Sequence, residues 1–318
     1  MTSDATAPAN DAAMAGFGPI ARTWFTDVFA APTPVQIAAW QAIGSGNNAL
    51  VIAPTGSGKT LAAFLQSLDR LASRATQPAL IGASEGAAPT QEPAAHVKGV
   101  RVLYISPLKA LAVDIERNLQ APLRGMTATA ERLGLPEPRV SVAVRSGDTT
   151  AAQRRRIATH PPDILITTPE SLFLMLSSKA AETLRNVETV IVDEVHALAG
   201  TKRGAHLMVS LERVAALSQR GGFQRIGLSA TVRPPERVAG FLAGDRDIAV
   251  ISPPAAKTWD LSVVVPVEDM TEPDAGRDAA EQDGTGRQPS MWPPIERRIL
   301  DLITSHRSTI CFVNSRRV

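Results

Sequence analysis

A glycine-rich loop at residues 53–60, with the sequence Ala-Pro-Thr-Gly-Ser-Gly-Lys-Thr, has the composition of a phosphate-binding loop. Its glycines let backbone N–H groups close around phosphate oxygens, and Lys59 can reach the outer phosphates. The Thr60 hydroxyl is a suitable ligand for Mg²⁺. The strict pattern begins with Gly and this loop begins with Ala53, but an apolar run precedes it and a helical period follows it. The residues predicted to bind the phosphates and Mg²⁺ are Thr55, Gly56, Ser57, Gly58, Lys59 and Thr60.

Two adjacent carboxylates, Asp193 and Glu194, follow the apolar run Thr-Val-Ile-Val at residues 189–192. Mg²⁺ prefers hard oxygen ligands and is typically held by one or two carboxylates together with phosphates, a role that Asp193 suits. Glu194 would point elsewhere and could orient and deprotonate an attacking water. Together with the phosphate loop, the pair predicts phosphoryl transfer to water, with Lys59, Asp193 and Glu194 as catalytic residues. His196, taken alone, is better explained as an ordinary core or surface histidine.

Apolar runs of strand length alternate along the chain with stretches of helical period, such as residues 61–71 and 207–217. This alternation predicts an α/β fold in which helices cover both faces of a parallel sheet. Ligands of such sheets bind at the carboxyl ends of the strands, where the glycine-rich loop and the carboxylate pair would lie. The predicted strands cover residues 49–53, 100–105, 140–144, 164–167, 187–192, 225–228 and 248–251.

The domain organisation follows from changes in composition. Segments that are rich in Ala, Gly, Pro or acidic residues and have no period are predicted to be flexible, because they have little apolar surface to bury. A helix starting near Pro293 and a strand at residues 309–313 are predicted to begin a further domain. The predicted segments are a disordered lead-in at 1–16, a large domain at 17–267 with a flexible insertion at 75–98, a linker at 268–290 and a truncated second domain at 291–318.

The composition excludes several classes of protein. Hydrophobic residues make up 44% and charged residues 20% of the chain, which excludes a wholly disordered protein. No window is apolar enough to span a membrane, and the N-terminus has no basic start or apolar core of a secretory signal. The single cysteine, Cys311, excludes an internal disulfide and fits a cytoplasmic protein. The net charge of +2 does not by itself indicate nucleic-acid binding. The excess of arginine over lysine fits phosphate binding or a GC-rich genome.

Five short motifs, taken in order, resemble the superfamily 2 helicases of the DEAD/DEAH-box type, and most closely the Lhr-like bacterial group. The resemblance covers residues 17–318. It implies a RecA-like P-loop domain, followed by the start of a second RecA-like domain. The motifs are Pro32-Thr-Pro-Val-Gln36, Pro107-Leu-Lys-Ala-Leu111, Thr168-Pro-Glu-Ser-Leu172, Asp193-Glu-Val-His196 and Ser229-Ala-Thr231.

The resemblance also implies roles for single residues. Gln36, with Thr33 nearby, would read adenine, because its amide offers both a donor and an acceptor. Ser229 and Thr231 would couple hydrolysis to movement along the strand, and His196 would join the same network. The residues implied in contacts with the nucleic-acid backbone are Pro107, Leu108, Lys109, Arg145, Gly147, Asp148, Thr168, Pro169 and Glu170, together with Asn314, Ser315 and Arg316 near the end of the sequence.

Basic residues outside the motifs have competing interpretations. The run at residues 154–156 could touch phosphate, but a solvated helix face explains it better. Lys202, Arg203 and His206 follow the carboxylate pair and could line a nucleic-acid groove. The sequence Thr-Pro-Glu at 168–170 would, without the resemblance, be read as a helix start with Pro at its first position.

The function implied by the resemblance is that of an ATP-dependent helicase with ATP and Mg²⁺ as cofactors. Its partner would be single-stranded or tailed-duplex nucleic acid, DNA rather than RNA, with 3′-to-5′ movement and a role in repair. The family's arginine finger and winged-helix domain are not in the 318 residues, so we expect a piece of a longer protein that binds Mg·ATP weakly and hydrolyses it slowly. The alternatives are an RNA helicase or remodeller, and a non-enzymatic ATP- and nucleic-acid-binding fragment.

Overall fold

Seven short strands form a single sheet in the computed structural model, which describes residues 12–76, 99–254, 260–265 and 292–313. Every neighbouring pair of strands is parallel. The strands are β1 (Asn48–Ile52), β2 (Val102–Ile105), β3 (Val142–Arg145), β4 (Ile164–Thr167), β5 (Thr189–Val192), β6 (Gln224–Ser229) and β7 (Ile248–Ile251). Their order across the sheet is β3-β4-β2-β5-β6-β1-β7.

Helices connect the strands, as parallel pairing requires. Threonine side chains cap several of the helices by accepting a hydrogen bond from the first turn. The helices are α1 (Pro19–Val28), α2 (Pro34–Gly44), α3 (Lys59–Thr76), α4 (Lys109–Arg132), α5 (Ala151–Thr159), α6 (Pro169–Leu176), α7 (Val195–Leu198), α8 (Lys202–Leu217), α9 (Pro235–Ala243) and α10 (Trp292–Ser305), with a 3₁₀ helix at Lys179–Leu184.

The two faces of the sheet are both buried, each in its own apolar core. Successive side chains of a strand point to opposite faces, so β1 contributes to both cores. Ala49 and Val51 pack in one core, which contains Phe64 of α3, and Leu50 lies in the other core with Leu211 of α8. The prediction of a parallel α/β sheet covered on both faces is therefore confirmed, and each strand lies within two residues of its predicted bounds.

One prediction about the ends of the chain is wrong, and a second is wrong in part. Residues 309–313 form no strand, and the side chains of Ile310 and Phe312 are 79% and 90% exposed. A strand needs a neighbour to satisfy its backbone groups, and none of the described residues pairs with this segment. Part of the predicted lead-in contacts the core. Residues 12–14 are helical, and the unbranched side chain of Met14 is fully buried.

Several predicted segments fall wholly or partly outside the described residues. These segments are residues 1–11 of the lead-in, residues 77–98 of the insertion and the linker at 268–290. Residues 75 and 76, the first two of the predicted insertion, belong to α3. The helix predicted near Pro293 is present as α10.

The chain divides into two units, residues 1–255 and 256–318. The first unit contains the whole sheet and, among the described residues, every buried side chain. The second unit contains the amphipathic helix α10, on which Leu300 and Ile303 are 58% and 45% exposed. None of the helices in the described part of the chain combines the length and apolarity needed to span a bilayer. The domain boundaries at 267 and 291 remain predictions.

Candidate functional site

The carboxyl ends of three adjacent strands, β5, β6 and β1, carry the residues predicted to bind and hydrolyse ATP. Asp193 follows β5, Ser229 ends β6 and the glycine-rich loop follows β1. Because the strands are parallel, these three ends meet at one edge of the sheet. The fold therefore brings the separate sequence motifs together at that edge.

The phosphate loop has the backbone conformation that its glycines allow. Gly56 and Gly58 have φ angles of 78° and 81°, a region that other residues rarely adopt. A Cβ atom added to Gly58 would lie 2.6 Å from the Gln36 amide nitrogen, so a side chain does not fit there. Lys59 Nζ donates to the carbonyl of Ala53 across the loop. Burial lowers the pKa of Lys59, while the charges of Glu194 and Asp193 act in the opposite direction.

Gln36 and Thr33 fasten the start of α2 to the phosphate loop. The Thr33 backbone N–H donates to Gln36 Oε1 at 2.9 Å, and the Gln36 N–H donates to Thr33 Oγ1 at 3.4 Å, which forms a capping box. The Thr33 hydroxyl donates to the carbonyl of Ser57 at 3.1 Å, and Gln36 Nε2 lies 3.5 Å from the carbonyl of Gly58. Both side chains are thus placed beside the predicted nucleotide site, and adenine recognition by Gln36 remains a prediction.

Tyr104, the only tyrosine of the chain, holds Asp193 in place. Its hydroxyl donates to Asp193 Oδ2 at 2.6 Å, and its ring stacks on Phe64 at a centroid distance of 5.1 Å. The second carboxylate oxygen of Asp193 accepts the backbone N–H of Glu194 at 2.9 Å. Burial raises the pKa of Asp193, the Tyr104 hydrogen bond lowers it, and the charge of Glu194 raises it again, with a net increase.

Glu194 is, among the described residues, the only non-glycine residue with a positive φ, at φ 46° and ψ 44°. The chain thereby turns at the end of β5 and directs Glu194 away from Asp193. Glu194 Oε2 lies 3.4 Å from His196 Nδ1, and that nitrogen lies 3.2 Å from the Ser229 hydroxyl. The Ala230 N–H also donates to His196 Nδ1 at 3.3 Å. His196 thus connects Glu194 to the end of β6, whereas Thr231 is exposed beyond it.

Two features fit the binding of a nucleoside triphosphate at the phosphate loop. One is a buried hydroxyl that no described residue hydrogen-bonds, and the other is a pair of oxygen ligands suited to Mg²⁺. The Ser57 hydroxyl is buried and has no hydrogen-bond partner among the described residues, although a buried hydroxyl normally has one. Thr60 and Asp193 offer the hard oxygen ligands that Mg²⁺ prefers. Within the described ranges, no three His, Cys, Asp or Glu side chains cluster as metal ligands. A magnesium ion here would therefore depend on phosphate oxygens as well.

The motifs implied in nucleic-acid contacts follow the other three adjacent strands, β3, β4 and β2. Arg145 ends β3, Thr168 follows β4 and caps α6, and residues 106–109 connect β2 to α4. The Thr167 hydroxyl donates to the Arg145 carbonyl at 2.7 Å, which ties the ends of β4 and β3 together. The predicted tracking motifs therefore share the edge of the sheet with the nucleotide motifs, on the neighbouring half.

Ion pairs already engage two of these predicted contact residues. Lys109 Nζ lies 2.7 Å from Asp148 Oδ1, and both side chains are more than half exposed. Glu170 accepts a hydrogen bond from Arg203 Nη2 at 3.0 Å, which lowers the pKa of the Glu170 carboxyl. A phosphate group that binds to Lys109 must therefore compete with Asp148 for the ammonium.

The remaining predicted contact residues differ in their accessibility. Pro107 and Pro169 are buried behind this surface, whereas Leu108 and Gly147 are exposed on it. Arg145 is only 8% exposed, and burial together with the nearby charge of Arg154 lowers its pKa. Burial of Arg145 was not predicted. Asn314, Ser315 and Arg316 lie outside the described residues.

Sequence reasoning missed the role of Tyr104 and the pairing of Arg203. Tyr104 lies in an apolar strand, and the presence of one hydroxyl in that strand was the only available signal. Arg203 pairs with Glu170, which is itself one of the implied contact residues, and its place in a nucleic-acid groove stays a prediction. His206 packs against the ring of Phe173 at a centroid distance of 4.6 Å. The run at residues 154–156 lies on α5, as predicted.

The parallel sheet, the phosphate loop and the carboxylate pair define a nucleotide-binding domain of the RecA-like helicase class. The model of the DEAD/DEAH box helicase family matches residues 33–238. The chain belongs to this family, and the predicted recognition of a helicase core is confirmed.

Comparison with known proteins also confirms the resemblance to the Lhr-like group. The Lhr helicase/probable uracil glycosylase of Mycolicibacterium smegmatis is 57% identical over 302 residues, covering 95% of this chain and 18% of that protein. The Lhr helicase/uracil glycosylase of Escherichia coli is 52% identical over 302 residues, covering 94% of this chain and 19% of that protein. The chain thus spans less than a fifth of the length of these curated relatives.

A solved structure agrees with the sequence comparison. The Mycobacterium smegmatis helicase Lhr, bound to ssDNA and AMP-PNP, superimposes with a TM-score of 0.74 and 56% identity. The similarity covers 96% of this chain and 35% of that one.

Proposed function

We propose that this chain is the ATP-binding core of an ATP-dependent helicase that moves along a nucleic-acid strand. The observation that carries the proposal is the division of one sheet edge into two halves. The nucleotide motifs follow β5, β6 and β1, and the tracking motifs follow β3, β4 and β2. Hydrolysis and strand contact would then take place on adjacent parts of one rigid sheet, so that a change at one half reaches the other over a short distance.

In the proposed reaction, the protein binds the triphosphate and positions water for attack on it. The amides of the phosphate loop and Lys59 would hold the phosphates, and Gln36 would contact the base. Thr60 and Asp193 would hold Mg²⁺, which neutralises phosphate charge when it is bound. Glu194 would orient the attacking water and accept its proton. Its fixed left-handed backbone keeps the carboxylate clear of Asp193.

The contact between His196 and Ser229 supports a coupling role for both residues. His196 lies within 3.4 Å of the Glu194 carboxylate and within 3.2 Å of the hydroxyl that ends β6. A change in the charge or position of Glu194 during hydrolysis would directly alter its interaction with His196. The segment after β6, which includes Thr231, would then respond to the state of the nucleotide.

For the whole protein we propose a DNA helicase with 3′-to-5′ movement and a role in repair, acting in the cytoplasm. The binding of ssDNA and AMP-PNP by the Lhr relative supports DNA and ATP as ligands. An RNA helicase remains the alternative, since tracking motifs of this kind contact the backbone and not the bases. Competition between DNA and RNA strands of equal length would distinguish the two alternatives. A DNA helicase should release its bound DNA only when the competing RNA is in excess.

The nucleotide site is tested by two substitutions. We expect Lys59→Ala to abolish ATP binding, because the ammonium that faces the outer phosphates is lost. We expect Glu194→Gln to retain ATP binding and to reduce hydrolysis in the complete enzyme by at least about 100-fold, the usual scale for loss of a general base. Binding is measured with a fluorescent ATP analogue and hydrolysis by phosphate release. Near-normal turnover of Glu194→Gln would contradict the assignment of the base.

A second candidate function is that of a non-enzymatic ATP- and nucleic-acid-binding fragment. The chain spans less than a fifth of the length of its Mycolicibacterium smegmatis and Escherichia coli relatives, which favours this alternative. Phosphate release by this chain with and without single-stranded DNA distinguishes the two. We expect turnover well below about 1 s⁻¹ in both conditions. Strand-stimulated turnover at or above that rate would make the chain a self-sufficient ATPase.

A further inference from the structure

A cavity of about 620 Å³ lies at the opposite edge of the sheet from the nucleotide site. Its wall contains Asn48 at the start of β1, Gln224 at the start of β6 and Glu188, which precedes β5. Because parallel strands begin at one edge and end at the other, this cavity is separated from the phosphate loop by the length of the strands. The proposed helicase function makes no use of it.

Among the described residues, five arginines line this cavity, and Glu188 is the only acidic residue in its wall. They come from four parts of the fold: α3, the loop before β6, β6 itself and the turn after α9. The wall therefore carries four more positive than negative charges, in a chain whose net charge is only +2. The five are Arg70, Arg74, Arg220, Arg225 and Arg246.

The nearby carboxylates do not balance these charges. Glu188 is shared by Arg74 at 2.8 Å, Arg101 at 2.6 Å and Arg220 at 3.2 Å. Burial would raise the pKa of Glu188, but the hydrogen bonds and charges of these arginines hold it below its usual value. The site thus has an ionised carboxylate with three guanidinium groups around it.

The second carboxylate, Glu212, is shared in the same way. Arg225 Nη2 and Arg246 Nη2 lie 2.7 Å and 2.8 Å from its two oxygens. Arg70 donates to two neutral acceptors, the side-chain oxygen of Gln224 at 3.3 Å and the Ile43 carbonyl at 3.1 Å. Asp245 Oδ1 also lies 3.8 Å from Arg246 Nη1. Among the described residues, six guanidinium groups around the cavity are therefore opposed by three carboxylates.

One donor of the cluster is buried and is not matched by any acceptor in the described part of the chain. Arg74 Nη1 has no hydrogen-bond acceptor among the described residues, and buried polar atoms normally have one. Its other terminal nitrogen binds Glu188. The Arg74 guanidinium therefore retains a donor that no described residue matches, beside an excess of positive charge that a bound oxyanion would offset.

We propose that this cavity binds a phosphate group, either of a free pyrophosphate-type anion or of a nucleic-acid backbone. Phosphate fits better than a carboxylate because it brings several charges and several acceptor oxygens into a small volume, as the surplus of guanidinium donors requires. The inference goes beyond the proposed helicase function, because it places a second phosphate site at the edge of the sheet that the helicase motifs do not use.

The test removes two charges from the cavity and compares the result with removal of two charges elsewhere. The site variant is Arg74→Gln/Arg220→Gln, in which Glu188 keeps Arg101 as its partner. The matched control is Arg117→Gln/Arg124→Gln, two exposed positions of α4. All variants carry Lys59→Ala, so that the phosphate loop contributes little to binding. Circular dichroism and thermal unfolding establish that each is folded, and Arg220→Gln alone replaces the double variant if that one does not fold.

Two probes distinguish the sources of the phosphate. Inorganic pyrophosphate is titrated by calorimetry, and we expect its affinity to fall at least about tenfold in the site variant and less than about twofold in the control. A short blunt DNA duplex is titrated by fluorescence anisotropy at several salt concentrations. If the backbone is the ligand, the slope of log K against log salt becomes shallower by about 1 to 2, as expected for one or two lost phosphate contacts.

Loss of pyrophosphate binding assigns the site to a free anion, and a shallower duplex slope assigns it to the nucleic-acid backbone. Equal behaviour of the site and control variants with both probes would overturn the proposal, because the cluster would then be structural. Displacement of pyrophosphate by poly-glutamate at equal charge concentration would also overturn it, in favour of an acidic protein segment.

Discussion

Glu194 combines a functional carboxylate with an unfavourable backbone conformation. A left-handed conformation costs a residue with a side chain roughly 1–2 kcal/mol, and the rest of the fold must stabilise it. The turn that results sends Asp193 toward Tyr104 and Glu194 toward His196. Two carboxylates that are adjacent in sequence therefore have separate partners, which suits one as a metal ligand and the other as a base.

A single residue, Asp148, is expected to weaken the binding of nucleic acid because it occupies Lys109. It holds Lys109 Nζ at 2.7 Å, and this exposed pair contributes little to stability. We predict that Asp148→Asn strengthens binding of single-stranded DNA by roughly two- to tenfold, because Lys109 becomes free to meet a phosphate. Lys109→Ala should weaken binding and abolish the effect of Asp148→Asn. Fluorescence anisotropy at low salt measures both.

The result of this substitution also tests the implied role of Asp148 itself. If Asp148→Asn weakens the binding of the strand, the carboxylate contacts the nucleic acid directly and does not act through Lys109. Thermal unfolding of both variants serves as the control, and neither is expected to change the melting temperature appreciably, because both side chains are exposed.

At this scale the sequence predicts residue types better than it predicts partners. Glycine, lysine and adjacent carboxylates at fixed spacing identify the phosphate loop and Asp193, because the chemistry requires those types. Nothing in the spacing indicates that Tyr104 binds Asp193 or that Glu194 has a positive φ. The Tyr104–Asp193 contact joins β2 to the end of β5, two strands that lie far apart in sequence and meet only in the folded sheet.

At the scale of elements, α1 and α4 approach closely because Gly125 has no side chain. A Cβ atom at this position would lie 2.2 Å from Trp24 Nε1, and Trp24 is buried. We predict that Gly125→Ala destabilises the fold by about 1–3 kcal/mol, because the helices must separate or the indole must move. Gly240→Ala in α9, where a Cβ meets nothing within 4 Å, is the matched control and should stabilise by roughly 0.5–1 kcal/mol.

Urea unfolding of the two glycine variants measures this difference. Replacing Trp24 by a smaller residue in the Gly125→Ala background should recover part of the lost stability, because the overlap is then removed. Equal stability of the Gly125→Ala and Gly240→Ala variants would show that the close approach of the helices does not contribute.

Glu212 links α8 to β6 and to the turn after α9 through Arg225 and Arg246. These arginines, Arg246 first, lower the pKa of Glu212 to about 2, below its unfolded value near 4.5. A lowered carboxyl pKa stabilises the fold above the unfolded pKa, and this contribution is lost as the pH falls toward the folded pKa. We predict that Glu212→Gln destabilises the protein at pH 7 and that the difference from the wild type shrinks between about pH 4.5 and pH 2.

The matched control for Glu212 is Glu182→Gln, which removes a surface ion pair with Arg185 whose side chains are 64% and 40% exposed. Its effect should be much smaller, because Arg225 is itself buried and loses its charge partner, whereas Arg185 is partly exposed. Urea midpoints measured from pH 7 to pH 2 provide the comparison. A difference between the wild type and Glu212→Gln that is independent of pH would mean that the carboxylate acts through packing and not through its charge.

The elements of the first unit could be predicted well because each is a complete local pattern. Apolar runs bounded by polar residues give the seven strands, and helical spacing gives the helices that cover them. The strand predicted at residues 309–313 fails for the opposite reason. Its apolar residues have the right propensity, but a strand forms only where a neighbour accepts its hydrogen bonds, and no local pattern reports whether that neighbour is there.

At the scale of the whole molecule, positive and negative charges are concentrated in different regions, and the net charge adds them together. The cavity at the amino-terminal edge of the sheet carries a surplus of four positive charges, and the nucleotide edge carries the carboxylates of Asp193 and Glu194. The net charge of +2 therefore says little about which ligands the protein binds. Local arrangement decides this, because exposed charges interact strongly only within about 8–10 Å at ordinary salt.

The first unit should fold on its own. All seven strands lie within residues 1–255, and beyond residue 254 no described side chain is buried. We predict that a chain ending at residue 255 unfolds cooperatively, with a melting temperature within about 4 °C of the 318-residue chain, the shift expected for about 1 kcal/mol.

The shortened chain should also bind less of the dye ANS, because the removed part exposes Ile310, Phe312 and the apolar residues of α10. A chain ending at residue 245 is the control and should melt much lower, because it lacks β7 and the buried Ile251. Loss of the cooperative transition at 255 would mean that the second unit stabilises the sheet.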